Sequence, residues 1–243
     1  MVKKPQRPRR VRTCVYCGKS EEPKGERFTR DHVLPKSLFN VLDRQMITVL
    51  ACSACQEEKR YGDDDLRDFV NLHYAGAQHP EAQEQLLKIA ASTLGGHSKI
   101  GNAFWSTGQL RERFSEAGLY LGDVVEAPIP GNNRDMFKTL EYIVRGLYFH
   151  TLNTPLPPQS PVRAVHVNTE RGRATLRELV KIPHRAPIIK GHMVAWIMSH
   201  HVTDDPLATA WTLVFNGGVY FFAVTDELAR RMPEPQQSGS RSE

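Results

Sequence analysis

Hydrophobic residues recur along the chain at both helical and strand spacing. Four of them predict an amphipathic helix that ends near His150, before the proline-rich stretch 154–158: Phe137, Leu140, Val144 and Leu147. Further on, the apolar runs 211–215 and 219–224 flank the turn sequence Asn216-Gly217-Gly218, which predicts a β-hairpin. The presence of both patterns predicts an α+β fold.

The N-terminal third carries shorter apolar patterns. The alternating stretch 46–50 predicts a short strand. Gly62 and the three acids at 63–65 predict the N-cap and first turn of a helix. Pro80 predicts the start of a further helix that ends near Leu94.

These patterns divide the chain into four parts. In chain order we expect a disordered basic arm, a compact module, an α+β region and a disordered tail, which correspond to residues 1–12, 13–75, 80–231 and 232–243. No motif in the third part indicates what it does.

Composition indicates a globular protein. The chain has 243 residues, of which 40% are hydrophobic and 24% charged, an ordinary balance for a folded domain. The most apolar stretch, 210–224, is too short to cross a bilayer, and the basic N-terminus lacks the apolar segment of a secretory signal. We therefore expect a cytoplasmic protein without a membrane partner, where paired cysteines favour metal binding over disulfides.

Positive charge is concentrated at the N-terminus. Residues 1–62 hold 14 Lys and Arg against 7 Asp and Glu, whereas residues 63–243 hold 18 against 20. A basic arm gains affinity for nucleic acid because each phosphate contact releases counterions. Phosphate contact is therefore expected for Arg9, Arg10 and Arg12, although a solvated tail that aids solubility is the alternative.

The four cysteines of the chain form two C-x-x-C pairs, Cys14/Cys17 and Cys52/Cys55. Each pair presents two sulfurs from one tight turn, and two such pairs complete the tetrahedral set that Zn²⁺ prefers. A closed four-sulfur site has no open coordination position, so this zinc would be structural, and its binding would contribute to folding. Four unrelated core cysteines or a redox pair are the alternatives.

The segment between the two pairs contains Asp31-His32, a hard oxygen ligand beside an imidazole. On a strand these two side chains point to opposite faces, so one can hold a divalent cation while the other faces a substrate. Phosphodiester hydrolysis needs both a base that deprotonates water and a cation that neutralises charge on the phosphate. A surface aspartate and a structural histidine are the alternative.

The combined motifs resemble the HNH endonuclease family, also called His-Me finger or ββα-metal nucleases. The matching residues are Cys14-x-x-Cys17, Asp31-His32-x-x-Pro35-Lys36-Ser37-Leu38 and Cys52-x-x-Cys55-Gln56-x-x-Lys59. The resemblance implies a zinc-stapled ββα-metal module followed by the mixed helical and β region. It also implies hydrolysis of DNA with His32 as general base, Mg²⁺ or another divalent cation held by Asp31 and Gln56, and a structural zinc.

Two positions depart from the family pattern. Gln56 stands where the family usually has Asn or His, and Ile47 stands where a supporting asparagine is common, which leaves Asn40 as the nearest candidate for that role. Lys36 and Lys59 are further candidates for phosphate contact. A single catalytic cation implies nicking, or cutting of both strands by a homodimer.

The departures leave two other hypotheses open. The module could be a catalytically degenerate nucleic-acid-binding or adaptor protein that kept its zinc. Alternatively, residues 80–243 could be the functional part, recognising a partner that the N-terminal module only delivers to DNA.

Overall fold

A computed structural model describes most of the chain between residues 12 and 232. The described ranges are 12–22, 25–39, 46–73, 99–115, 117–127, 134–167, 188–190, 195–201 and 204–232, with a few isolated positions between them. The predicted arm up to residue 11, the predicted tail beyond residue 232, Asn40, and most of the predicted helix from Pro80 to Leu94 lie outside the described residues.

The N-terminal module has a β–β–α order. Strand β1 (Thr29–His32) pairs antiparallel with β2 (Thr48–Ala51), and a short 3-10 turn follows β1 at Lys36–Leu38. Helix α1 (Ser53–Leu72) begins directly after β2. The predicted strand near residues 46–50 is therefore confirmed within a residue or two.

The predicted helix start at Gly62 is wrong, because α1 already begins at Ser53 and passes through that position. Instead of capping a helix start, the three acids make contacts along α1. Asp63 pairs with Lys59, Asp64 pairs with Arg67, and Asp65 accepts hydrogen bonds from the first backbone N–H groups of the next described helix. Asp63 and Asp64 therefore have partners within α1 at i,i+4 and i,i+3 spacing, and Asp65 serves the start of another helix and not of its own.

The middle of the chain forms a helix and a hairpin. Helix α2 (Lys99–Thr107) is followed by β3 (Gln109–Phe114) and β4 (Tyr120–Glu126), which pair with each other as a two-stranded sheet. Most of the exposed large hydrophobic side chains among the described residues belong to α2 and this hairpin, including Trp105, Leu110 and Leu119.

The predicted amphipathic helix is confirmed as α3 (Arg134–Leu152). Its buried side includes Leu140, Val144 and Leu147, which were expected to share one face. It packs along α1 and connects to a five-stranded sheet.

The C-terminal sheet is antiparallel, in the order β5-β9-β8-β7-β6. Its strands, followed by a short helix α4 (Asp226–Arg231), are β5 (Val162–His166), β6 (Ile188–Lys190), β7 (Ala195–His201), β8 (Thr209–Phe215) and β9 (Val219–Thr225). The predicted hairpin is confirmed as β8 and β9. Asn216 and Gly217 have φ of 47° and 68° in its turn, a conformation that the Asn-Gly sequence favours.

One hydrophobic cluster runs through the N-terminal module and the C-terminal region. Helices α1 and α3 approach so closely that a Cβ at Gly62 would lie 2.0 Å from the backbone oxygen of Asp135. The α+β class is thus confirmed. Within the described ranges, no helix combines the length and apolar character that a membrane crossing requires.

Candidate metal centre and the acid–histidine pair

The four cysteines converge on one point. Their Sγ atoms all lie within 4.8 Å of one another, and the Sγ atoms of Cys17 and Cys52 are 3.8 Å apart. With Zn–S bonds of about 2.3 Å, a tetrahedral four-sulfur site has edges of about 3.8 Å, so the spacing fits a zinc ion. The predicted cysteine cluster is confirmed as a group that could hold a metal ion such as zinc.

The protonation equilibria of the thiols also fit a cation. The hydrogen bond between the two thiols lowers the pKa of Cys14 and, together with burial, raises the pKa of Cys55. Crowded thiols resist losing all their protons because the resulting thiolates repel one another. A divalent cation removes this conflict, since it binds the thiolate form.

Backbone hydrogen bonds shape the first cysteine turn. The amide of Cys14 donates to the carbonyl of Lys19 at 2.8 Å, and the amide of Gly18 donates back to the carbonyl of Cys14 at 2.9 Å. Gly18 has a φ of 72°, and a Cβ there would lie 2.5 Å from Cγ of Pro158. Glycine is therefore required both for the turn and for the close approach of the proline-rich stretch.

The second cysteine turn joins β2 to α1. Cys52 precedes the helix and Cys55 lies in its first turn, where the amide of Gln56 donates to the carbonyl of Cys52 at 3.1 Å. The carboxylate of Glu26 accepts the Ser53 amide at 2.7 Å. This contact supplies one of the orphan N–H groups at the start of α1 with a partner and places negative charge at its positive end.

His32 ends β1 and is partly exposed. Its Nδ1 atom is buried and has no hydrogen-bond partner among the described residues. Burial, with the positive charge of Lys36 second, lowers the pKa of His32 below its usual 6.5, against an opposing effect of Asp31. The imidazole is thus neutral at neutral pH, the form that can accept a proton.

Asp31 lies at the centre of a cluster of polar side chains. The Tyr16 hydroxyl donates to Oδ2 of Asp31 at 2.7 Å, and Nζ of Lys59 lies 3.7 Å from the same oxygen. Lys59 also pairs with Asp63, with 3.2 Å between Nζ and Oδ2. The ammonium group therefore balances the charge of two carboxylates.

This cluster is largely shielded from solvent. Lys59 is 2% exposed, and burial raises the pKa of Asp63 to about 6 against the opposing charge of Lys59. Lys59 is thus buried and paired with two carboxylates, and its predicted phosphate contact stays a prediction. Lys36, by contrast, is exposed, and it follows His32 by four residues in the sequence.

Gln56 points to the other end of β1. Its Nε2 donates to Oγ1 of Thr29 at 2.8 Å and to the carbonyl of Ala51 at 3.1 Å. Its amide group thus ties the start of α1 to the two strands. The α1 side chains that reach Asp31 and its surroundings are instead Lys59 and Asp63.

Of the predicted phosphate contacts in the arm, only Arg12 is described. Its Nε lies 3.5 Å from Oε2 of Glu21, and its side chain is 48% exposed. Arg9 and Arg10, like Asn40, lie outside the described residues.

Three residues around Asp31 were not predicted in their present roles from the sequence. They are Tyr16, Asp63 and Lys59, which is buried. The available signal was the position of Tyr16 between two metal ligands and the i,i+4 spacing of Lys59 and Asp63.

Comparison of the chain with protein-family models, with curated proteins and with solved structures found no match.

Proposed function

We propose that the protein is a metal-dependent endonuclease of the HNH type that hydrolyses phosphodiester bonds of DNA. The observation that carries the proposal is the Asp31-His32 pair at the end of β1, in which Asp31 contacts Tyr16 of the first cysteine turn and Lys59 of α1. Its imidazole has a lowered pKa and a buried Nδ1 without a partner among the described residues.

In this proposal His32 is the general base. Its neutral imidazole takes a proton from a water molecule, and the resulting hydroxide attacks the phosphorus as the bond to the leaving oxygen breaks. Asp31 supplies a carboxylate for Mg²⁺ or another divalent cation, and that cation contributes neutralisation of charge on the phosphate. The zinc-bound cysteines hold both ends of the segment and take no part in the reaction.

The basic N-terminal arm and Lys36 would hold the DNA backbone. Contacts to phosphate are independent of sequence and weaken with salt. A site with a single catalytic cation cuts one strand, so cutting of both strands would require a second copy of the chain.

A plasmid assay tests the proposal. We expect the protein to nick supercoiled plasmid with Mg²⁺ or Mn²⁺, and His32→Ala to lower the rate by at least about 100-fold, the usual scale for a lost general base. His150→Ala is the matched control, because His150 is exposed at the end of α3. Nicking that survives His32→Ala would exclude His32 as the base.

A second candidate function is a zinc-stabilised nucleic-acid-binding or adaptor module without catalysis. Two contacts favour it: the Lys59 ammonium group beside Asp31, and the Gln56 amide nitrogen turned to Thr29. Under this function the protein retards labelled DNA in a gel but leaves plasmid intact with every divalent metal tried.

A further inference from the structure

Tyr16 connects the cysteine cluster to the Asp31 carboxylate. It lies between Cys14 and Cys17 in sequence, and its hydroxyl donates to Oδ2 of Asp31 at 2.7 Å. The residue therefore belongs to the metal-binding turn by its backbone and to the acid–histidine pair by its side chain.

The backbone around Tyr16 is fixed from both sides. Besides the turn bonds of Cys14 and Gly18, the amide of Val15 donates to the carbonyl of Leu50 on β2 at 2.9 Å. A cation held by the two cysteines that flank Tyr16 would restrict the same turn further. Little freedom then remains in the direction of the Tyr16 side chain.

The ring and hydroxyl of Tyr16 are equally constrained. The side chain is 2% exposed, and its ring centroid lies 4.9 Å from that of Tyr142 on α3. The hydroxyl is a donor in this buried position, with the Asp31 carboxylate as its acceptor. A hydrogen bond to an ionised carboxylate is about twice as strong as one between neutral groups.

We propose that Tyr16 is a positioning residue that couples metal occupancy of the four-cysteine site to the orientation of the Asp31 carboxylate. The coupling itself depends only on the contacts above. Its consequence for catalysis rests on the proposed nuclease function, in which Asp31 holds the catalytic cation.

Coupling between two sites is reciprocal, so a substitution at Asp31 must change zinc binding by the four cysteines. Asp31→Asn removes the charge that strengthens the Tyr16 hydrogen bond, and we expect it to speed zinc release about 5-fold. Tyr16→Phe removes the hydroxyl and should have a similar effect. In the Tyr16→Phe background, Asp31→Asn should change zinc release by less than about 2-fold, because the bond no longer exists.

The measurement is the rate of zinc transfer to a coloured chelator, followed on the full chain of the wild type, both single variants and the double variant. Tyr148→Phe is the matched control, since Tyr148 is also buried and its hydroxyl donates to the Pro206 carbonyl, far from the cysteines in sequence. It should leave zinc release unchanged. If the two single effects multiply in the double variant, the coupling is absent and the proposal is overturned.

A second readout addresses catalysis. With Tyr16→Phe fully zinc-loaded, we expect the Mn²⁺ concentration that gives half-maximal nicking to rise about 10-fold, the usual scale for losing a contact behind a metal ligand, with little change in the maximal rate. Wild-type protein that never nicks would refute the proposed nuclease function, while the zinc-release cycle still decides the coupling. An unchanged Mn²⁺ midpoint in an active Tyr16→Phe protein would overturn the catalytic consequence.

Discussion

At the level of single residues, His32 has an environment suited to accepting a proton. Burial and the charge of Lys36 both lower the pKa of His32. A base works only in its neutral form, so a lower pKa extends activity toward acid pH. If His32 is the base, we expect the acid limb of the pH–rate profile to have its midpoint below pH 6.5.

Substitution of Lys36 tests this pH dependence, and Lys138 provides the control. Lys36→Ala removes a charge that lowers the pKa of His32, so the acid limb of the pH–rate profile should move up toward pH 6.5. Lys138→Ala, which changes a lysine on α3, should leave the profile in place. An acid limb that does not respond to Lys36→Ala would mean that another group controls the rate.

The raised pKa of Asp63 should make the stability of the fold depend on pH. Its folded-state pKa is raised from 3.8 to about 6 by burial, so the folded protein holds the proton more tightly than the unfolded chain does. Ionising Asp63 therefore costs folding free energy as pH rises from about 4 to 6. We expect the stability of Asp63→Asn relative to wild type to increase over this range, measured by urea unfolding at several pH values.

A matched comparison uses Asp64→Asn, since Asp64 is more exposed and pairs with Arg67. It shows how much of the stability change comes from removing any carboxylate of this turn of α1. An Asp63→Asn difference that stays flat with pH would contradict the raised pKa.

Sequence alone could predict the residues whose chemistry is local. The two C-x-x-C pairs were identifiable because their spacing encodes the ligand geometry, whereas the roles of Asp31 and His32 stay predictions. Lys59 and Tyr16 were not assigned their roles, because burial and the choice of hydrogen-bond partner depend on how β1, α1 and the first cysteine turn pack together.

At the level of elements, the longest periodic pattern gave the most accurate prediction, helix α3. The error at α1 has a specific cause. In the sequence Gly62 looks like a helix boundary, but in the structure it lies inside α1. The residue must be a glycine there because α3 leaves no room for a side chain. A glycine needed for close helix packing and a glycine that ends a helix look alike in sequence.

This packing predicts the result of Gly62→Ala. The added Cβ would lie 2.0 Å from the backbone oxygen of Asp135 and 2.6 Å from Oγ1 of Thr139. Although alanine is the better helix former, we expect a net loss of about 1–3 kcal/mol in unfolding free energy, since backbone must move. Chemical denaturation measures the change.

Gly146→Ala is the informative comparison, because Gly146 is also in a helix and also buried. Its added Cβ would meet the Val33 side chain, nearest at 2.6 Å, and a side chain can shift more easily than backbone. The loss should therefore be smaller than for Gly62→Ala. The reverse order would show that the α1–α3 contact is looser than described.

At the level of the whole molecule, the two halves share one hydrophobic cluster. Helix α3 from the C-terminal region packs on α1 from the N-terminal module, and Thr139 donates to the carbonyl of Lys59 at 2.7 Å. Residues 80–243 alone would expose the face of α3 that α1 covers. We therefore expect this fragment not to fold independently, as judged by near-UV circular dichroism and unfolding cooperativity.

A fragment that unfolds cooperatively and binds a partner would instead support the hypothesis that the C-terminal region is the functional part.

Because both halves share this cluster, loss of the metal site should lower the stability of the entire chain. Cys52→Ser should release zinc and lower the melting temperature of both halves in one transition.

The contact between Gly18 and Pro158 has a consequence for the order in which the protein is made. The four cysteines leave the ribosome long before α3 and the proline-rich stretch that covers the first cysteine turn. At about 5–20 residues per second, roughly 5 to 20 seconds separate the two events. During that interval the first cysteine turn lacks the proline-rich stretch that later packs on it, so a cation held by the four cysteines would be the contact that restrains this turn.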